Sequence, residues 1–220
     1  MSTVAIVPVK SIADAKRRLS RHLTSQERRL LVIAMLEDVL AAIHGSKVFK
    51  ETIVISPDRI IATTAEKLGG RSMTQVGYGL NTGIQQATLQ AVRDGATSTA
   101  NILADIPLIQ PGDFEEIAKI GPPSKRVVLS PSLDGGTNIM LRSPANVIEN
   151  SYGRWSFSRH LRIAQSKQIP VYAVSNARSS FDIDTMDDLR SIIRLDPAGT
   201  SKTASQVQKF ELVFALAGNA

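Results

Sequence analysis

The sequence predicts an α/β fold, a mostly parallel doubly wound sheet with a local antiparallel excursion. Short runs rich in Val and Ile, bounded by Gly, Pro, Asp or Ser, alternate with segments of helical period. The alternation continues through most of 220 residues, a length that suits one domain with one substantial core. Two apolar runs also end in carboxylates, at Asp105-Ile106-Pro107-Leu108 and Asp182-Ile183-Asp184. In open α/β folds the carboxyl ends of strands are where sites are built.

Taken in order, residues 4–9 form a short apolar run without helical period and read as a first buried strand. Thr24-Ser25-Gln26-Glu27 has the form of a capping box, and Leu30, Leu31, Ala34, Leu36 and Val39 follow at amphipathic-helix spacing. Strands are expected at 52–56, 72–75, 101–104, 126–130, 138–142 and 171–174, and helices at 60–68, 82–93, 114–120, 157–167 and 186–193. Nothing helical separates 126–130 from 138–142, so this pair carries the antiparallel excursion, with Leu133-Asp134-Gly135-Gly136-Thr137 at its tip. The expected domain is 1–195. Beyond Asp196 a polar stretch gives way to apolar residues 210–216, a tail read as mobile or packed against a second subunit of a homodimer.

Composition narrows the function. Hydrophobic content of 43% and charged content of 21% fit a globular protein, and no stretch reaches the roughly 18 apolar residues of a membrane span. Charge within residues 11–21 argues against a signal peptide, and a cytoplasmic location is expected. The absence of Cys excludes disulfides, thiolate metal sites and a thiol nucleophile. A net charge of +6 could suit nucleic acid, but 5% aromatics provide no evident base-stacking platform. Much of the positive charge falls in residues 10–21 and 154–167, which also suits an enzyme with a triphosphate substrate.

Three carboxylates converging at one sheet edge, Asp105, Asp182 and Asp184, would repel one another unless a divalent cation lay among them. Hard oxygen ligands without Cys or His ask for Mg²⁺. Asp also caps strands and starts helices routinely, so the reading depends on all three meeting. Lys10, Lys16, Arg17 and Arg18 follow the first strand, where nucleotide phosphates approach such folds. No P-loop or dinucleotide glycine pattern is present, so ammonium and guanidinium groups must supply the countercharge. In Gly77-Tyr78-Gly79-Leu80-Asn81 the glycines allow close approach of a flat ligand, and Asn81 either caps a helix or reads a base edge. Asp134-Gly135-Gly136-Thr137 is either an anion-binding nest or a plain hairpin turn. Ser156 stands near the start of a helix that also carries His160, which reads as a structural hydrogen-bonding residue with no acid–base role.

Val7-Pro8-Val9-Lys10, Ala15-Lys16-Arg17-Arg18-Leu19, Leu80-Asn81, Asp105-Ile106-Pro107-Leu108, Asp134-Gly135-Gly136-Thr137-Asn138, Gly153-x-x-Ser156-Phe157-x-x-His160 and Asp182-Ile183-Asp184-Thr185 together resemble the 2-phospho-L-lactate guanylyltransferase family of coenzyme F-420 biosynthesis, common in archaea. The likeness runs from about Val4 to Leu189. It implies a fold similar to nucleotide-diphospho-sugar transferases, with GTP as donor and 2-phospho-L-lactate as acceptor. It further implies Mg²⁺ on Asp105, Asp182 and Asp184, with Pro8, Lys10, Lys16, Arg18, Leu80, Asn81 and Asp105 on the nucleotide. Lys10, Lys16, Arg18 and Asp105 would be catalytic, and Gly136, Thr137, Gly153 and Ser156 would hold the acceptor. Handover of an unstable product to the downstream phospholactate transferase is a further expectation. Met186 and Tyr152 depart from the usual Pro and Phe without removing a ligand. The same reaction on phosphoenolpyruvate or 3-phosphoglycerate, another nucleotidyltransferase on this fold, and a basic nucleic-acid-binding protein are the alternatives.

Overall fold

The computed structural model describes residues 2–217, with side chains described as far as Phe210. Seven strands form one sheet: β1 (Thr3–Pro8), β2 (Glu51–Ser56), β3 (Arg71–Thr74), β4 (Ser98–Ile102), β5 (Arg126–Pro131), β6 (Thr137–Ser143) and β7 (Val171–Ala173). The helices are α1 (Ser25–Ser46), α2 (Arg59–Lys67), α3 (Leu80–Arg93), α4 (Pro111–Lys119), α5 (Ser156–Ser166), α6 (Met186–Leu195) and α7 (Lys202–Ala217). Strand order is β3-β2-β1-β4-β6-β5-β7, and only β6 runs antiparallel to its neighbours. The excursion is thus deeper than a hairpin at the sheet edge. Strand β6 is inserted between β4 and β5, so its first residue, Thr137, lies at the same rim as the carboxyl ends of β1 and β4.

Chain order reverses between β1 and β4, which makes the crevice beyond their ends the topological switch point of the sheet. Helix α1 covers one face there. Its capping box is complete in both directions, and Leu31, Met35, Leu36, Val39, Leu40 and Ile43 bury its inner stripe. Strand β4 begins three residues before the expected run because its polar residues are satisfied inside the fold. Ser98 Oγ pairs with Ser143 Oγ at 3.0 Å, and Thr99 Oγ1 donates to the Ala145 carbonyl at 2.7 Å. Hydropathy alone passes over a strand whose hydroxyls have such partners.

The segment beyond Asp196 differs from the expectation of a mobile or partner-packed tail. It turns back as α7 along α1, with Ala204, Val207 and Phe210 buried in the main core. This helix has a local cap, Ser201 Oγ accepting from the Ala204 backbone N–H at 3.1 Å, and a second anchor that no local signal shows because it comes from α1. Asp38 on α1 accepts from Lys202 N, Thr203 N and Thr203 Oγ1 at 2.6–2.9 Å. The side chains of 211–216, the rest of the apolar stretch, lie outside the described residues. Among the described residues, no helix is long and apolar enough to cross a membrane.

Candidate active site

An open-mouthed cleft of about 240 Å³ occupies the switch point, where open α/β sheets take their ligands. It is lined by Pro8, Lys10, Lys16, Leu80, Asp105, Gly136, Thr137, Gly153, Ser156, Asp182 and Asp184, so residues spread over the whole sequence meet there. The meeting has a direct cause. The Ile183 amide donates to the Asp105 carbonyl at 3.0 Å, which stitches the segment before α6 onto the end of β4. That segment is anchored in turn by the Asn138 amide on the Ser179 carbonyl and by Ser130 Oγ on Ser179 Oγ.

One wall is charged. Lys16 adopts the left-handed conformation (φ 51°), and its buried ammonium bonds Asp105 Oδ2 and Asp184 Oδ1 at 2.8 Å each. Burial pulls the Lys16 pKa down, but the two carboxylates outweigh it and the net shift is upward. Arg18 is mostly exposed and reaches Asp184 only at 3.6 Å. Asp182 is pushed up to about 7, first by burial and then by repulsion from Asp105, Asp184 and Asp134. Asp134 is thus a fourth member of the acidic group, which spacing alone did not reveal. The buried Asp105 Oδ1 has no hydrogen-bond partner. As placed, Asp105 and Asp184 close on the Lys16 ammonium, and among the described residues no three acidic or imidazole groups enclose a metal position.

The opposite wall is neutral. Ser156, at the first position of α5, donates to Thr137 Oγ1 at 3.2 Å, and Thr137 Oγ1 meets His160 Nδ1 at 3.0 Å. The Asp134-Gly135-Gly136 segment resolves as a hairpin turn. The Gly135 amide bonds the Ser132 carbonyl and the Gly136 amide bonds Asp134 Oδ1, so neither is left for an anion. Asn81 does not cap a helix. Gly79 occupies the cap position of α3, and both ends of the Asn81 amide are taken by the Tyr152 backbone, at 2.7 Å to its N–H and 3.1 Å to its carbonyl. It ties α3 to the loop before α5 and so positions Gly153. Val32 and Met35 of α1 also line the cleft, apolar residues outside the Leu30, Leu31, Ala34, Leu36 and Val39 pattern read from the sequence.

The comparisons with known proteins decide the family. The model of the family described as "Guanylyl transferase CofC like" matches residues 3–212. The chain belongs to this family. A phosphoenolpyruvate guanylyltransferase of Sphaerobacter thermophilus is 34% identical over 93% of this chain and 99% of its own length. A 2-phospho-L-lactate guanylyltransferase of Methanocaldococcus vulcanius is 33% identical over 86% of this chain and 83% of its own. Among solved structures, one described as a nucleotide-diphospho-sugar transferase, from Desulfovibrio desulfuricans G20, superposes with a TM-score of 0.77 over 98% of both chains at 15% identity, which shows the shared fold. The mostly parallel sheet with its antiparallel insertion and the guanylyltransferase family are therefore as the sequence predicts.

Proposed function

We propose that the cleft transfers GMP from GTP to the phosphate of a small phosphorylated acid, 2-phospho-L-lactate in the first reading, giving lactyl-2-diphospho-5′-guanosine and pyrophosphate for coenzyme F-420 biosynthesis. The observation that carries this is the pairing of the two walls across one cleft in a chain of this family. One wall concentrates cations and carboxylates suited to a triphosphate, and the other offers buried neutral groups around Thr137.

In the proposed reaction an acceptor phosphate oxygen attacks the α-phosphorus in line. A new P–O bond forms, the bond to the β-phosphate oxygen breaks, and its electron pair leaves with pyrophosphate. The nucleophile is already anionic near neutral pH, so no general base is needed, consistent with a cleft lined by neither Cys nor a free His. The difficulty is bringing two polyanions together. Lys10, Lys16 and Arg18 neutralise the phosphates of the nucleotide, while Pro8 and Leu80 floor its side of the cleft. Asp105, Asp182 and Asp184 would hold Mg²⁺, whose charge, when bound, offsets that of the phosphates. The donor atoms are of the type a hard cation takes, oxygen only with one buried and unpartnered, and Asp105 and Asp184 would have to turn from the Lys16 ammonium to meet it. Thr137, with Gly153 and Ser156 beside it, holds the acceptor, and Gly136, whose amide is used within its turn, lines the cleft next to them.

Phosphoenolpyruvate is the second reading of the acceptor. It is favoured by the Sphaerobacter relative, which this chain spans almost end to end. The two acids share a carboxylate and a phosphate and differ in the geometry at the central carbon, which pocket shape discriminates. The test is pyrophosphate release over four nucleoside triphosphates and three acids (2-phospho-L-lactate, phosphoenolpyruvate and 3-phosphoglycerate), with Mg²⁺ and with chelator. Release only with GTP, one of the first two acids and a divalent cation is expected. Equal release without any acid would refute the reading.

A further inference from the structure

His160 lies in the second turn of α5 with no exposed surface, and both of its ring nitrogens have partners. The Ser151 backbone N–H meets Nε2 at 2.9 Å. An amide can only donate, so Nε2 carries the lone pair. Burial, with the nearby Arg142 and Arg159 charges adding to it, holds the ring pKa down at about 4, so the ring is neutral at pH 7. Its single proton is therefore on Nδ1, which donates to Thr137 Oγ1 at 3.0 Å. Ser156 donates to the same oxygen at 3.2 Å.

A hydroxyl has two lone pairs and one proton. At Thr137 both lone pairs are occupied, so its own proton is left to point elsewhere, and among the described hydrogen bonds it finds no acceptor. Thr137 lines the cleft together with Gly153 and Ser156. The ring cannot easily exchange its two edges, because Tyr152 packs edge-on against it at 4.9 Å between centroids and the Tyr152 backbone is clamped by Asn81.

We propose that His160 is a positioning residue which, through its Nδ1–H tautomer and jointly with Ser156, fixes the Thr137 hydroxyl as a donor aimed into the cleft, selecting an acceptor acid by an anionic oxygen at that point. The opposite tautomer would present Thr137 as an acceptor and repel the same oxygen. Of the two hydroxyls expected to hold the acid, Thr137 makes the direct contact and Ser156 acts through it. This inference rests on the acceptor side of the reading above.

Two substitutions separate it from simple packing. The amide of His160→Asn ends near the reach of Nδ1 and keeps a donor for Thr137, whereas that of His160→Gln ends near the reach of Nε2 and does not. Expected are a KM for the acid within about threefold of the parent in His160→Asn and about tenfold higher in His160→Gln, with the KM for GTP unchanged in both. Melting temperatures of both variants accompany the kinetics. ¹⁵N NMR of the free protein reads the tautomer without any reaction, and Nδ1–H is expected. An Nε2–H tautomer overturns the inference, as do equal losses in the two variants that follow their melting temperatures. If no acid of this class is turned over, the proposed function fails, and the tautomer measured on the free protein still decides this point.

Discussion

The wall carried by the loops after β1, β4 and β7 holds Lys16 between Asp105 and Asp184, with Asp182 and, from the β5–β6 turn, Asp134 beside them, whereas the wall carried by β6 and α5 holds Thr137, Ser156 and a neutral His160. The first is a set of strong, mutually frustrated charges in which more carboxylates than cations crowd one place. The second is a closed chain of neutral hydrogen bonds with one proton left over. The difference teaches how one cleft handles two anions. A mobile polyphosphate is met by charge that it can reorganise, and a small rigid acid is met by dipoles fixed before it arrives.

The comparison can be broken most forcefully on the charged wall. Asp105→Asn is expected to lower turnover at least about a hundredfold while leaving the circular dichroism spectrum of the parent. A loss under about tenfold would remove Asp105 from the chemistry. On the neutral wall Thr137→Val is expected to raise the KM for the acid about tenfold and to leave that for GTP alone. Ser156→Ala, which removes only one of two donors to Thr137, should cost about threefold. If Ser156→Ala exceeded Thr137→Val, the order of contacts would be the reverse of that argued.

The walls also differ in the sign of their pH dependence. Asp182 has a folded pKa of about 7 against 3.8 for the free group, so between those values the folded state binds the extra proton and its stability falls as pH rises. His160, at about 4 against 6.5, binds fewer protons when folded, so its contribution is lost as pH falls from 6.5 towards 4. Thermal melts in chelator should show Asp182→Asn flattening the loss as pH rises from 4 to 7. His160→Asn should flatten the loss as pH falls from 6.5 to 4. The same slope in both variants would contradict the assignment. The smallest effect lies outside both walls, where Asp38→Ala should cost about 1–2 kcal/mol through the lost anchor at the start of α7, with activity unchanged.

Much of this was legible in the sequence because it follows from local rules. The apolar runs, the Thr24 capping box and the aspartates closing strand ends each follow from a short stretch of chain. What stayed hidden depends on distant partners. Asn81 looks like a helix cap until the Tyr152 backbone, 71 residues away, is seen to hold both ends of its amide. The glycines after Asp134 fit an anion nest until the turn is seen to use their amides itself. Helix α7 starts on its own Ser201 cap, but the group that holds that start against α1 is Asp38, 164 residues from Lys202. His160 has the composition of a structural residue, and only the direction of the Ser151 bond reveals what it does to Thr137.

The central claim is that GMP is joined to the phosphate of a small acid at this cleft. The most direct measurement is ³¹P NMR of GTP, Mg²⁺ and each acid incubated with the full chain, the acid carrying ¹⁸O on its phosphate. A new phosphoanhydride whose two coupled phosphorus atoms come from GMP and from the acid, with the label retained in it, is the predicted result. Formation of GMP and pyrophosphate with every acid returned unchanged would contradict the account.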